Sequence, residues 1–190
     1  LRRRALVGEN RSKVFDETDD ETIRRRVMWS YGSGVLNCPM MGIEAIPPAM
    51  KPTLYMQTGC LKELYLADNR IGELPEDFVR LVRTVHTLVM KRNRLKALPN
   101  EFASMTRLTK LDLSENQLHR LPVGFSLLTN MVELNLSNNH LVATPAMCFP
   151  RLTLCDMSWN TLEQLPLAFY GCTSITDLNL SHNVLMSLSI

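Results

Sequence analysis

The sequence predicts an α/β repeat: a curved solenoid with a parallel concave sheet and short helical or 3₁₀ convex turns, preceded by an N-terminal capping helix. Three observations predict it. First, an order of leucines, one asparagine, a Leu-Pro pair and a phenylalanine, complete in Leu108 to Leu128 (LTKLDLSENQLHRLPVGFSLL), recurs through most of the chain. Second, the copies begin at Leu61, Val85, Leu108, Met131, Leu152 and Ile175, steps of 21 to 24 residues, and a period in that range marks stacked units that bury their apolar faces only against one another. Third, each copy opens with apolar and polar residues in alternation, LKELYLA or LTKLDLS, the period of a strand with one buried face.

Taken in order, three segments follow: 1–34, 35–60 and 61–190. Leu1 to Lys13 carries Arg2, Arg3, Arg4, Arg11 and Lys13 with little apolar periodicity, which suits a solvated basic arm. The acids Glu9, Asp16, Glu17, Asp19 and Asp20 argue against a mitochondrial presequence, because such leaders are poor in acids. Asp16 to Tyr31 reads as a helix with an acidic first turn and basic last turns, complementing the helix dipole at both ends. Thr18 and Glu21 form a capping box, and Asp20 to Arg24 and Glu21 to Arg25 are favourable i,i+4 pairs. Ile23, Val27 and Tyr31 share one face while Trp29 lies off it, so the helix is expected to dock a narrow apolar edge on the first coils. Gly32, Ser33 and Gly34 then read as a flexible joint.

Val35 to Pro48 keeps the tail of the template, with Ile43, Ile46 and Pro47 matching Leu118, Leu121 and Pro122, but has Met41 at the asparagine place. It reads as a degenerate first coil, as terminal repeats tend to be. Pro47, Pro48 and Pro52 keep the connection to Leu61 out of helix. From Leu61 there are six regular copies, the last incomplete, and six strands about 4.8 Å apart make a sheet about 24 Å wide. Asn69, Asn93, Asn116, Asn139, Asn160 and Asn183 fill the ninth place of each copy. Pro75, Pro99, Pro122 and Pro166 suit the first position of a short convex helix, with Phe78, Phe102, Phe125 and Phe169 packed beneath.

The pattern L-x-x-L-x-L-x-x-N-x-L-x-x-L-P-x-x-F resembles a leucine-rich repeat of the cytosolic 23-residue type, of which Scribble and the Ras suppressor protein are examples. The resemblance is clear over Leu61 to Ile190 and faint over Val35 to Pro48. It implies that the asparagine amides form a ladder to free backbone groups of the coils, and that the protein acts by binding other proteins. Two copies depart from the pattern. The copy at Leu61 has one residue too many, and the copy from Met131 to Arg151 has 21 residues, with Thr144, Pro145 and Cys148 in place of Leu-Pro-x-x-Phe. A thinner convex wall is expected there.

Composition restricts the chemistry. A net charge of +2 with 21% charged residues is too balanced for a polyanion-seeking surface, so nucleic acid is not expected as a partner outside a larger ribonucleoprotein. No apolar run reaches the roughly 18 residues that membrane insertion requires. The odd set Cys38, Cys60, Cys148, Cys155 and Cys172 has no C-x-x-C pair and reads as reduced core thiols of an intracellular, cytoplasmic or cytoskeletal protein, with a mitochondrial site as the alternative. His86, His119, His140 and His182 show no zinc spacing, no phosphate loop or nucleophile elbow occurs, and Ser181-His182-Asn183 repeats the strand-end loops Ser114-Glu115-Asn116 and Ser137-Asn138-Asn139. We therefore expect no catalysis, no cofactor and no metal.

What varies is the concave surface. Its third-place column is Glu63, Thr87, Lys110, Glu133, Leu154 and Asp177. The fifth is Tyr65, Val89, Asp112, Asn135, Asp156 and Asn179, and the eighth is Asp68, Arg92, Glu115, Asn138, Trp159 and His182. Lys91, Arg92, Arg94 and Lys96 make the second copy basic, whereas later copies carry Asp112, Glu115, Glu133, Asp156 and Asp177 against Lys110. The expected partner is a basic protein segment lying across the acidic half, touching Tyr65, Lys110, Asp112, Glu115, Glu133, Leu154, Asp156, Trp159 and Asp177, with Trp159 at the centre. Two alternatives stand beside this scaffold reading. One is an architectural subunit of a large machine, an axoneme or organellar ribosome, contacting through its N-terminal arm and helix; the other is the recognition segment of a larger enzyme.

Overall fold

The computed structural model describes residues 20–47, 50 and 61–186. The basic arm, Thr18 of the expected capping box, Pro48, Pro52 and Cys60 lie outside the described residues. Helix α1 (Asp20–Ser33) leads into a seven-stranded parallel sheet: β1 (Val35–Asn37), β2 (Glu63–Tyr65), β3 (Thr87–Val89), β4 (Lys110–Asp112), β5 (Glu133–Asn135), β6 (Leu154–Asp156) and β7 (Asp177–Asn179). The strands lie in chain order, each paired with the next. The seventh strand is the degenerate coil's own. Val35 pairs with Glu63 and Asn37 with Tyr65, so the sheet is about 29 Å wide at this spacing, one strand more than the regular copies supply.

Helix α1 corrects the sequence reading in two ways. It runs on through Gly32 to Ser33, so the expected joint is helical, and Arg24 to Arg26 sit in its middle with no basic residue in its last turn. The arginines therefore gain little from the helix dipole. Arg25 Nε lies 3.3 Å from Glu21 Oε1 in an exposed ion pair, which contributes about 0.3 kcal/mol. Arg26 instead donates to the Asn37 carbonyl oxygen at 2.9 Å. The Ser33 hydroxyl donates to the Val35 carbonyl and accepts the Val35 N–H. Ile23, Val27 and Ser30 are the buried face of α1, and Trp29 is exposed.

Each strand from β1 to β6 has a buried central residue, Leu36, Leu64, Leu88, Leu111, Leu134 and Cys155, and these pair in register, whereas Leu178 at the centre of β7 is exposed. The ninth-place asparagines tie neighbouring coils. Asn116 donates from Nδ2 to the carbonyls of Met90, Leu113 and Ser114 and accepts the Leu95 N–H at Oδ1, all at 3.0 to 3.1 Å. Asn93, Asn139, Asn160 and Asn183 repeat the arrangement, and Asn69 accepts from both Met41 and Ile43. Met41 cannot make such bonds and is simply buried in the core.

On the convex side, helix α2 (Glu76–Leu81) follows Pro75, and 3₁₀ turns Asn100–Ser104, Val123–Leu127 and Leu167–Gly171 follow Pro99, Pro122 and Pro166. The prolines hold φ near −65° with extended ψ, so they stand one place before the turn as its cap. The copy with the extra residue is the one whose convex element is an α-helix, of six residues against five in the 3₁₀ turns. Rings of Phe102 and Phe125 stack at 6.2 Å. Gly124 is required by this stacking of turns: a Cβ there would lie 2.6 Å from Ala103 Cβ, whereas one at Gly72 meets nothing. Gly124→Ala is expected to cost about 1–2 kcal/mol in denaturant unfolding, and Gly72→Ala less than about 0.5 kcal/mol.

The short copy overturns the expected replacement of phenylalanine by cysteine. Cys148 is exposed, and Phe149 is buried with its ring edge-on to Phe125 at 6.0 Å. Phe149 occupies the place held elsewhere by Val82, Met105, Leu128 and Cys172, whose carbonyls accept the N–H of the next anchor residue, as Phe149 does for Leu152. The turn is deleted and its ring is supplied from the residue that would have ended it.

Candidate functional site

The concave surface is built by the residues that alternate with the buried column. Pairing places Glu63, Thr87, Lys110, Glu133, Leu154 and Asp177 side by side. Over β4 to β7 these and the fifth-place residues enclose a shallow depression of about 360 Å³, lined by Lys110, Asp112, Glu133, Asn135, Leu154, Asp156, Asp177 and Asn179. Six residues predicted from sequence to meet a partner, Lys110, Asp112, Glu133, Leu154, Asp156 and Asp177, thus share one recess. Leu154 is 42% exposed within it.

The fifth-place side chains have a structural duty that the columns alone do not reveal. Asp112 Oδ1 accepts the Ser114 N–H at 3.0 Å and its hydroxyl at 2.6 Å. Asp156 does the same for Ser158, Asn135 for Ser137 and Asn179 for Ser181. The signal is [Asp/Asn]-x-Ser, a local side-chain turn that bends the chain out of the strand. Each uses Oδ1 only, and Asp156 Oδ2 accepts from Asn179 Nδ2 at 3.4 Å. Tyr65 lies outside the recess. Its hydroxyl donates to Glu63 Oε2 at 2.7 Å, and that bond first, then burial and the Glu63 charge, raises the phenol's pKa.

The eighth-place column sits on the loops beyond the strands. Met40, Asp68, Arg92, Glu115, Asn138, Trp159 and His182 all have φ between 53° and 55°, the left-handed region that a bulky side chain seldom adopts. Arg92 bridges its neighbours, with Nε 3.0 Å from both Glu115 carboxylate oxygens and Nη1 3.4 Å from Asp68 Oδ1. Lys110 is ion-paired with Glu133. The expected split into a basic and an acidic half is therefore softened: Glu115 belongs to the Arg92 bridge, apart from the recess, and Glu133 shares its charge with Lys110. Trp159, 55% exposed, stacks on His182 with centroids 3.8 Å apart at 16°. It is not among the residues lining the recess, whereas Leu154 is.

Two further arrangements escape sequence reasoning. Trp29, 84% exposed, lines a groove of about 500 Å³ with Thr22, Arg25, Arg26, Ser33, Val35 and Asn37; only the packing of α1 beside β1 creates it. His119 and His140 come together across adjacent coils, ring centroids 5.2 Å apart, although 21 residues separate them. Among the described residues no three His, Cys, Asp or Glu side chains form a metal-ligand group, and no helix is long and apolar enough to cross a membrane.

Comparison with known proteins agrees with this geometry. A leucine rich repeat family model matches residues 59–118 and 83–141. The fold is similar to YopM from Yersinia enterocolitica (27% identity, TM-score 0.73, covering 90% of this chain and 34% of that one). It is also similar to YopM from Yersinia pestis, a leucine-rich effector protein (24% identity, TM-score 0.73, 95% and 46% covered). A leucine-rich-repeat protein of Leptospira interrogans matches at 22% identity with a TM-score of 0.70, over 85% of this chain and 47% of that one. The chain thus spans between a third and a half of these structures.

Proposed function

The chain is a leucine-rich-repeat protein, and from that premise we propose that it works by presenting a preformed concave surface to a protein partner, as a scaffold or subunit of a larger intracellular assembly. The partner element is a basic segment lying across β4 to β7. The observation that carries this reading is the recess, in which Asp112, Glu133, Asp156 and Asp177 face a single cation, Lys110, around an exposed Leu154. Carboxylates set the sign of the partner's charge, while Leu154 and the neighbouring Trp159 supply apolar contact for the stem of a lysine or arginine. Because strands and asparagine bonds fix these side chains beforehand, association costs little ordering.

A titration with a lysine- and leucine-containing peptide, beside an acidic peptide of equal length, tests the proposal. Binding of the basic peptide alone, weakening with added salt and lost in Asp156→Asn/Asp177→Asn, supports it. Trp159→Asn is expected to weaken that binding by about 2 kcal/mol. The same change should alter unfolding by less than about 1 kcal/mol, because Asn suits the left-handed backbone and offsets the lost His182 stack. Equal binding of both peptides would sink the charge argument.

A second reading has its own observation, the exposed Trp29 beside Arg25 and Arg26 on α1. It makes α1 the contact of an architectural subunit with an acidic partner segment. Trp29→Ala would then release the protein from its native assembly, while Trp159→Asn would leave it in place.

A further inference from the structure

We propose that Cys148 and Cys172 form a peroxide-sensitive dithiol, a modification site in which the exposed Cys148 is oxidised first and the buried Cys172 resolves it into a disulfide. The site is a product of the short copy. In copies with a 3₁₀ turn, the N–H of the residue closing the turn donates to the turn's phenylalanine carbonyl, as Met105 does to Phe102 and Leu128 to Phe125. With the turn deleted, Phe149 has no such carbonyl, and its N–H donates instead to Cys172 Sγ of the next coil at 3.2 Å. That bond draws the segment carrying Cys148 over the end of the Leu167–Gly171 turn.

Residue 171 is glycine at the point of closest approach. A Cβ there would lie 2.6 Å from Cys148 Sγ, so the thiol occupies the volume of the missing side chain. It thereby comes beside Cys172, whose thiol is pushed up first by burial and further by the neighbouring Cys148, against the lowering effect of the Phe149 N–H. The two thiols belong to adjacent coils and are 24 residues apart in the chain, yet Cys148 Sγ packs on Gly171 and the Phe149 N–H bonds Cys172 Sγ, so the fold brings them to neighbouring places. Exposure separates their roles: Cys148 is open to solvent and Cys172 is buried.

The chemistry balances with hydrogen peroxide as the oxidant. The Cys148 thiolate attacks one peroxide oxygen, the O–O bond breaks, and a sulfenic acid and hydroxide form. Cys172 sulfur then attacks the sulfenic sulfur, forming S–S as S–O breaks, and its thiol proton leaves with the hydroxyl as water. Cys155 is the neighbouring competitor. Burial, with the nearby Cys172 and Asp156, pushes its thiol up to about 12, so it remains protonated and inside the core.

The test is peroxide treatment of the whole chain, with intact mass measurement and peptide mapping without reduction. The expected result is a mass loss of two hydrogens and a Cys148–Cys172 cross-linked peptide, reversed by dithiothreitol. The cross-link should be absent in Cys148→Ser and retained in Cys155→Ala. Gly171→Ala, which pushes Cys148 away, should slow its formation several-fold. Oxygen adducts on Cys148 with Cys172 still alkylatable, or a cross-link through Cys155 or Cys38, would overturn the proposal. The map of the unmutated protein decides this even where a variant folds poorly.

Discussion

Replacing Phe149 with alanine is expected to lower the unfolding free energy by about 4 kcal/mol, measured by urea denaturation. The side chain is wholly buried and meets the Phe125 ring edge-on at 6.0 Å. Its removal loses transfer energy, the aromatic contact and the filling of a wall that lacks a turn to collapse inward. Cys148→Ala, at the position that the repeat alignment equates with phenylalanine, is expected to change stability by less than about 0.5 kcal/mol because that residue is exposed and its small thiol lies over Gly171 and not in the core. If the two substitutions cost the same, the account of the short copy is wrong. In a solenoid such a loss uncouples the coils on either side, so the transition should also broaden.

Asn116→Ala comes next, at about 3 kcal/mol. One amide serves four backbone groups of two coils: the Leu95 N–H and the carbonyls of Met90, Leu113 and Ser114. Alanine leaves these groups buried without partners, and each unmet group is costly in a medium that water cannot enter. Asn183 makes the same kinds of bond but is only partly buried, so water can replace the amide. Asn183→Ala should cost about 1 kcal/mol. Equal losses at both sites in parallel denaturation curves would mean that burial of the coil backbone does not set the price.

Where sequence and structure agree, the reason is that one residue type suits one place. Leu111, Leu113 and Asn116 occur where only a buried aliphatic chain or a buried amide satisfies the coil, so spacing alone locates them. Phe149 was illegible because the same ring can fill the convex wall from the end of a turn as well as from its middle. The strand at Val35 was hidden by its single central Leu36, too short a signal to separate from loop. The recess was partly legible: the columns place Leu154, Asp156 and Asp177 together, but pairing of Arg92 with Glu115 and of Lys110 with Glu133 depends on side-chain reach. Trp159 lies outside the recess lining, at a loop position with a left-handed backbone. Its φ of 53° falls in the 53° to 55° range of every eighth-place residue from Met40 to His182, and such an angle is not written in a tryptophan.

The contacts between α1 and β1 carry a consequence for how the molecule keeps company with itself. A parallel sheet ends in a strand whose outward amides and carbonyls are an invitation to any other extended chain. At β1 that invitation is withdrawn, since Ser33 occupies the Val35 N–H and carbonyl and Arg26 the Asn37 carbonyl. A foreign strand arriving at this edge would first have to evict a guanidinium and a hydroxyl, so pairing there costs two hydrogen-bonded side chains before any strand is gained.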